Sequence, residues 1–255
     1  MSAKGDWIAV FDSGVGGISV LRELVRLMPQ ERYLYYGDSA NAPYGTKSTA
    51  QVRDLTLKAA EKLMARGCKA LVVACNTATA AAIADLRRLY PEKIIIGIEP
   101  ALKVAADHFP GGEVGVMATP VTLREEKFDV LLHRFTDCCC VHKIPAPGLV
   151  ELVEQGKAIS EESRSLLEAL LTPYRGKLDA IVLGCTHYPF AAPVIAQILG
   201  DKTALLDGGA GTARQTRRRL EAAGLLGEGP GEVRFENSMD SQAVIDLCAR
   251  MLQET

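Results

Sequence analysis

Hydrophobic and polar positions along the chain fall into two alternating kinds of segment. Short, nearly unbroken apolar runs occur at 7–11, 32–37, 70–74, 93–98, 114–118, 138–141, 180–184, 203–206 and 233–236. They have the length and branched-residue content of strands, and the most apolar of them suit strands buried on both faces. Between them lie longer stretches with apolar residues three and four apart. Leu21, Leu24, Val25 and Met28 form one such stripe before Pro29, and Val52, Leu55, Ala59, Leu63 and Met64 form another before Gly67. Further helices are expected from the Cys75 turn to about Arg88, to about Phe109, after Thr122, over 147–155, over 160–174 with Ser160 as N-cap, after Cys185, over 214–223, and to Leu252. Strands alternating with helices throughout imply parallel sheets covered by helices.

One element appears twice. Ala70-Leu71-Val72-Val73-Ala74-Cys75-Asn76-Thr77 is matched by Ala180-Ile181-Val182-Leu183-Gly184-Cys185-Thr186-His187. A charged residue opens each run, Lys69 before the first and Asp179 before the second. Each cysteine falls where a strand should end and a helix begin, which is where open α/β sheets bind ligands. The cysteines are 110 residues apart (185 − 75). The strand–loop at Phe11-Asp12-Ser13 and that at Ala118-Thr119 align at a similar offset of 106 (118 − 12). Two alignments at nearly one offset point to a duplicated α/β unit. Pro110-Gly111-Gly112 marks a break in the pattern. The expected architecture is two pseudo-symmetric α/β domains with parallel sheets flanked by helices. The first covers 1–98 plus 208–255, the tail packing back on it, and the second covers 99–207.

Composition adds limits. The 255 residues are 48% hydrophobic and 24% charged, with a net charge of −2, so charge gives no case for nucleic acid or an anionic membrane as partner. No apolar run approaches a membrane span, and no signal-peptide core opens the chain. Seven cysteines without a regular framework read as free thiols in the reducing cytoplasm. The run Arg217-Arg218-Arg219 reads as a solvated helix face.

Four chemistries compete for the motifs. The glycines of Asp12-Ser13-Gly14-Val15-Gly16-Gly17, with Asp38 at the next strand end, resemble a dinucleotide loop, but Ser19 replaces the third glycine and Asp12 would oppose a pyrophosphate. Zinc on Cys185 and His187 lacks the usual ligand spacing and a partner pair. A cysteine hydrolase with His187 as base leaves Cys75 unused. Cys68, Cys138, Cys139, Cys140 and Cys248 read as small buried apolar groups. Two equivalent thiols at helix starts, where thiolates are favoured, suit a fourth chemistry. One thiolate removes a proton from a tetrahedral carbon and the other thiol returns one on the opposite face, inverting the centre.

The residues that would do this also carry a resemblance spanning most of the chain. Phe11-Asp12-Ser13-Gly14-Val15-Gly16-Gly17, Tyr36-Gly37-Asp38 with Pro43-Tyr44-Gly45, Ala74-Cys75-Asn76-Thr77-Ala78, Gly97-Ile98-Glu99-Pro100-Ala101 and Leu183-Gly184-Cys185-Thr186-His187-Tyr188-Pro189 occur in order. Together they resemble the glutamate racemases of the aspartate/glutamate racemase superfamily. The resemblance implies a cofactor-independent, commonly dimeric cytoplasmic enzyme, with its active site in the cleft between the two α/β domains, that interconverts L- and D-glutamate and supplies D-glutamate for peptidoglycan. It implies Cys75 and Cys185 as the catalytic acid/bases, assisted by Asp12 and His187. Substrate binding would fall on Asp12, Ser13, Tyr44, Gly45, Asn76, Thr77, Thr119, Thr122, Thr186 and His187, with Asp38 and Glu154 as further carboxylates. Two departures stand out: Ala146-Pro147 where the family often has Cys-Pro, and Glu151 before Leu152-Val153-Glu154 where it often has proline. His187 favours glutamate over aspartate, whose racemases usually carry an acid there. Arylmalonate decarboxylases and maleate isomerases share the fold without this motif set, and a non-catalytic binding module would not need both thiols.

Overall fold

The computed structural model describes residues 6–99, 101–120, 122–124, 130, 132, 135 and 138–253. Most of the helix expected after Thr122 lies outside these residues, as does Pro100 of the Gly97–Ala101 stretch. The chain divides into two compact units, one formed by Met1–Glu99 with Gly209–Thr255 and the other by Pro100–Gly208.

In the first unit, β1 (Trp7–Asp12), β2 (Arg32–Gly37), β3 (Ala70–Val73), β4 (Ile94–Gly97) and β9 (Glu232–Asn237) form one sheet in the order β4-β3-β1-β2-β9. All its pairings are parallel. Strands β1 and β3 are buried on both faces, as their unbroken apolar runs require. On one face Ala9, Phe11, Leu34, Tyr36, Leu71 and Val73 pack against Val52, Ala59 and Leu63 of α2 (Thr49–Ala65) and Leu86 of α3 (Asn76–Leu89). Burial of each large apolar side chain contributes about 1.5–3 kcal/mol. Tyr33 has the opposite parity on β2. Its hydroxyl donates to the carbonyls of Leu24 and Met28 at the end of α1 (Ile18–Leu27). The tail does return to this sheet, because β9 pairs with β2 along six residues.

In the second unit, β5 (Glu113–Ala118), β6 (Cys140–Pro145), β7 (Ala180–Leu183) and β8 (Ala204–Leu206) form a parallel sheet in the order β6-β5-β7-β8. Val114, Val116, Ala118 and Val182 pack against Leu102 and Ala105 of α4 (Leu102–His108). This unit also holds α5 (Leu149–Glu154), α6 (Glu161–Leu171) and α7 (Ala192–Leu199), while α8 (Gly209–Ala222) and α9 (Gln242–Gln253) belong to the first.

Read from the outer edge, β8-β7-β5-β6 repeats β4-β3-β1-β2. The register repeats too: Phe11 lies opposite Val73, and Met117 opposite Leu183. Backbone bonds recur at matched positions. The Ala74 N–H donates to the Phe11 carbonyl at 2.8 Å, and the Gly184 N–H to that of Met117 at 2.7 Å. The duplication read from two offsets is therefore a repeated strand order and register. The charged residues opening each run have separate uses. Lys69 forms a buried 2.6 Å ion pair with Glu31, and Asp179 accepts the Glu113 N–H at 2.8 Å.

Several boundaries differ from the sequence reading. Strand β6 starts at Cys140, because Cys138 and Cys139 form the turn that brings the Cys140 N–H to the Gly112 carbonyl. Helix α5 starts only at Leu149, after Gly148 takes a left-handed φ of 87°. The 39–45 loop contains 3-10 turns at Ser39–Asn41 and Tyr44–Thr46. Helix α6 ends at Leu171 and tightens into a 3-10 turn carrying Pro173, which has no N–H for an α-helical bond. Its N-cap is Ser160 as expected, accepting the Ser163 N–H at 3.3 Å. The basic helix starts earlier, at Gly209, and leaves Arg217, Arg218 and Arg219 exposed.

Candidate active site

Strand β3 ends at Val73, and two residues later Cys75 becomes the N-cap of α3. Its sulfur accepts the Ala78 N–H at 3.4 Å. That is the role serine and threonine usually play at a helix start, and it sets the sulfur in the positive field of the helix dipole. The thiol is buried and lies 3.6 Å from Ser13 Oγ. Ser13 Oγ is in turn 3.4 Å from Asp12 Oδ1, at the end of neighbouring β1. Asp12 is fully buried and also accepts the Gly14 N–H at 3.1 Å. Gly17 makes room for it, since a Cβ there would stand 2.6 Å from Asp12 Cβ. The carboxylate thus takes a backbone donor of the glycine loop that a pyrophosphate would need, which counts against the dinucleotide reading.

At the end of β2, buried Asp38 accepts from Tyr44 Oη at 2.6 Å and from Asn41 Nδ2 at 3.0 Å. Burial, the hydrogen bond to Asp38, and the nearby charges of Asp38, Cys75 and Asp12 all push the Tyr44 phenol far above its ordinary value. Tyr44 is therefore a neutral donor. Gly45 and Thr77 are half-buried. Asn76 Oδ1 is a buried acceptor with no hydrogen-bond partner among the described residues.

The second thiol is held differently. No α-helix starts at Cys185; a turn leads into a 3-10 segment, Tyr188–Ala191, and α7 begins only at Ala192. A helix capped by Cys185 would need the backbone N–H groups of residues 189 and 193, which Pro189 and Pro193 lack; each proline instead sits in the first turn of its own segment, where no such donor is needed. The helix-start argument therefore holds for Cys75 and is corrected for Cys185. In place of a helix start, Cys185 Sγ lies 3.5 Å from His187 Nδ1, and His187 Nε2 lies 2.6 Å from Glu154 Oε1 at the end of α5. His187 is 2% exposed. Its burial alone would lower its affinity for a proton. The hydrogen bonds to Cys185 and Glu154, and their charges, outweigh that and hold it well above the usual histidine value. The buried imidazole bridges the Cys185 sulfur and the Glu154 carboxylate. Both histidine nitrogens are thus engaged within the cluster, an arrangement that does not suit zinc on Cys185 and His187. Thr119 and Thr122, past the end of β5, are buried and share a 2.9 Å hydroxyl–hydroxyl bond, and Thr186 is also buried.

The structure thus gathers the sequence-predicted residues into two clusters, one at the carboxyl strand ends of each unit. The first contains Asp12, Ser13, Asp38, Tyr44, Cys75, Asn76 and Thr77, and the second Cys185, Thr186, His187 and Glu154, with Thr119 and Thr122 at the neighbouring strand end. Sequence reasoning did not single out Tyr188. It is fully buried, its hydroxyl donates to the Ala146 carbonyl at 3.2 Å, and burial followed by the Cys185 and Glu151 charges raises its phenol. Its place three residues past a strand-end cysteine was the available signal. Of the five remaining cysteines, Cys68, Cys139 and Cys248 are buried as expected, whereas Cys138 and Cys140 are exposed at the start of β6.

The sequence and the fold have counterparts among known proteins. The family model for Asp/Glu/hydantoin racemases matches residues 8–216. A glutamate racemase of Clostridium perfringens is 45% identical over 249 residues, covering 96% of each chain. The crystal structure of a glutamate racemase isoform from Bacillus anthracis superposes with a TM-score of 0.87 at 30% identity, covering 99% of this chain and 96% of that one. The structure of the Francisella tularensis glutamate racemase with D-glutamate superposes with a TM-score of 0.84 at 27% identity, covering 99% and 95%. By its strand-end thiols, its repeated sheet order and these matches along nearly its whole length, the chain belongs to the Asp/Glu/hydantoin racemase family.

Proposed function

We propose that this protein interconverts L- and D-glutamate without a cofactor, Cys75 and Cys185 each serving one face of the α-carbon. The observation that carries this reading is the pair of thiols at equivalent strand ends, each linked through one side chain to a carboxylate: Cys75 to Ser13 and Asp12, Cys185 to His187 and Glu154. In the L-to-D direction the Cys185 thiolate takes the α-proton and becomes a thiol. The Cys75 thiol delivers its proton to the opposite face and becomes a thiolate. The reverse reaction exchanges the roles, so nothing is oxidised or reduced and the protonation of the two sulfurs is swapped at each turnover.

The difficult step is developing negative charge at the α-carbon. Hydrogen-bond donors aimed at the α-carboxylate stabilise it, and Ser13, Asn76, Thr77 and Thr186 are the candidates, with Tyr44, Gly45, Thr119 and Thr122 completing the binding set. The unpartnered Asn76 Oδ1 and the buried Asp12 carboxylate suit the substrate ammonium group. Glutamate is preferred to aspartate because His187 stands where an acid would, and because the glutamate racemases above match over nearly the whole chain. We further place the product in peptidoglycan synthesis, the enzyme in the cytoplasm and its assembly as a homodimer. Among the described residues, no helix is long and apolar enough to cross a membrane. Polarimetry on purified enzyme with L- and D-glutamate and no added cofactor tests the proposal. Decay of either rotation to zero is the expected result; turnover of aspartate but not glutamate would overturn the substrate assignment.

A further inference from the structure

The two exposed cysteines of the second unit lie at the end of the sheet opposite its thiol cluster. Glu113 opens β5 and Cys140 opens β6, and the two are register partners. His142 is two residues along β6, hence on the same face as Cys140. Cys185 follows the carboxyl end of parallel β7, a strand's length away.

Glu113, Cys140 and His142 bring one oxygen, one sulfur and one nitrogen within 4.8 Å of one another. Cys140 Sγ is 3.9 Å from His142 Nε2, and that nitrogen is hydrogen-bonded to Glu113 Oε2. Tyr174 packs edge-on against the imidazole at 5.7 Å between ring centres. Bonds of 2.0–2.3 Å in a tetrahedron put ligand atoms about 3.3–3.7 Å apart. The sulfur–nitrogen separation is already near that value, and the Glu113–His142 bond needs only to open around an ion. A thiolate and a carboxylate would together neutralise a dication. Calcium and magnesium prefer oxygen ligands alone, whereas a mixed sulfur, nitrogen and oxygen set suits zinc and its neighbours.

We propose that Glu113, Cys140 and His142 form a binding site for a divalent transition metal of the zinc class, with water as the fourth ligand, separate from both catalytic thiols. The bound ion ties the amino ends of β5 and β6 and stabilises the folded state in proportion to its occupancy.

The test is a Co2+ titration of the full-length, reduced protein followed by absorption. Tetrahedral cobalt with a thiolate ligand gives near-ultraviolet charge-transfer and visible d–d bands. One equivalent should produce them, and one equivalent of Zn2+ should abolish them. Cys185 with His187 also offers sulfur and nitrogen, so the variants decide the location. Cys140→Ser and His142→Asn should lose the bands and weaken Zn2+ binding by at least the roughly 10–100-fold that even outer-shell losses cost, while Cys185→Ser keeps both. Unchanged racemase activity in the Cys140 and His142 variants reports an intact fold. If they fail to fold, Zn2+ should still raise the melting temperature of the Cys185→Ser protein. No stoichiometric band in the parent protein, or bands that persist without Cys140 or vanish without Cys185, would overturn the site.

Discussion

The two units place a cysteine at the same point of the same strand order and surround it with different chemistry. In the first unit the thiol is buried at the start of a 14-residue helix and leads through a hydroxyl to the carboxylate that closes the neighbouring strand. In the second it is more exposed, has no α-helix starting at it, and leads through the buried His187 imidazole to a carboxylate 33 residues before that histidine. The two units share the backbone that presents the sulfur and differ in the side chains around it. A helix dipole is a fixed field, whereas an imidazolium can exchange its own proton. Under the proposed mechanism, a reaction on mirror-image substrates requires equivalent placement of the thiols but not identical neighbours.

The sharpest way to break this comparison is to remove one sulfur at a time. Cys75→Ala and Cys185→Ala should each lower racemisation by at least the ~10²–10⁴-fold typical of acid–base groups, measured as the initial change in optical rotation. Near-normal turnover in either variant would remove that thiol from the reaction. A glutamate analogue with a halide on Cβ then separates the faces, because loss of HX needs only one abstraction. Cys75→Ser should keep elimination from the L-isomer and Cys185→Ser from the D-isomer; the reverse pattern would exchange the assignments.

The relays come next. His187→Asn should reduce kcat by about a hundredfold, the low end for acid–base groups, with Glu154→Gln producing a smaller loss. The enantiomers have equal free energies, so kcat/KM must fall equally in both directions, and any directional effect appears only in the split between kcat and KM. Unequal kcat/KM values would mean that a step other than racemisation was being measured. Gly17→Ala tests the first relay indirectly. Its Cβ would collide with Asp12 Cβ, and overpacking of this kind costs about 1–3 kcal/mol. Activity should fall with stability, whereas a variant unchanged in both would show that Asp12 can move freely.

Smaller effects concern stability. Tyr44→Phe leaves the buried Asp38 carboxylate without its 2.6 Å donor, which should cost about 1–3 kcal/mol in urea unfolding. His187 has a raised folded-state value, so its contribution is fully present below the unfolded histidine value of about 6.5 and is lost as pH rises through the folded value. The stability margin of the parent protein over His187→Asn should therefore be largest in mild acid and shrink toward alkaline pH. A margin that grew with pH would contradict the imidazolium assignment.

Much of this was legible in the residues. Unbroken apolar runs gave the buried parallel strands, and the two offsets of 106 and 110 gave the repeated unit, because register between neighbouring strands carries the spacing. Local pattern failed where a single residue changed the backbone. Pro189 and Pro193, which lack the N–H donors a helix capped by Cys185 would need, leave the α-helix to start at Ala192, and the Cys138–Cys139 turn shifted the start of β6. The His187–Glu154 contact could not be read from spacing, since it joins the end of α5 to a turn after β7; only the family resemblance pointed to Glu154, across a departure at Glu151. The Tyr44–Asp38 bond was similarly hidden in a loop whose 3-10 turns have no periodic apolar signal.

The central claim is that two thiols act on opposite faces of one carbon. Its most direct test is racemisation of L-glutamate, and separately of D-glutamate, in deuterium oxide, with the α-position of both enantiomers read by mass spectrometry or NMR at low conversion. Two bases predict deuterium in the inverted product and hydrogen in the unreacted substrate, in both directions. A product that retains the substrate hydrogen, carried from one face to the other by a single group, would contradict the account.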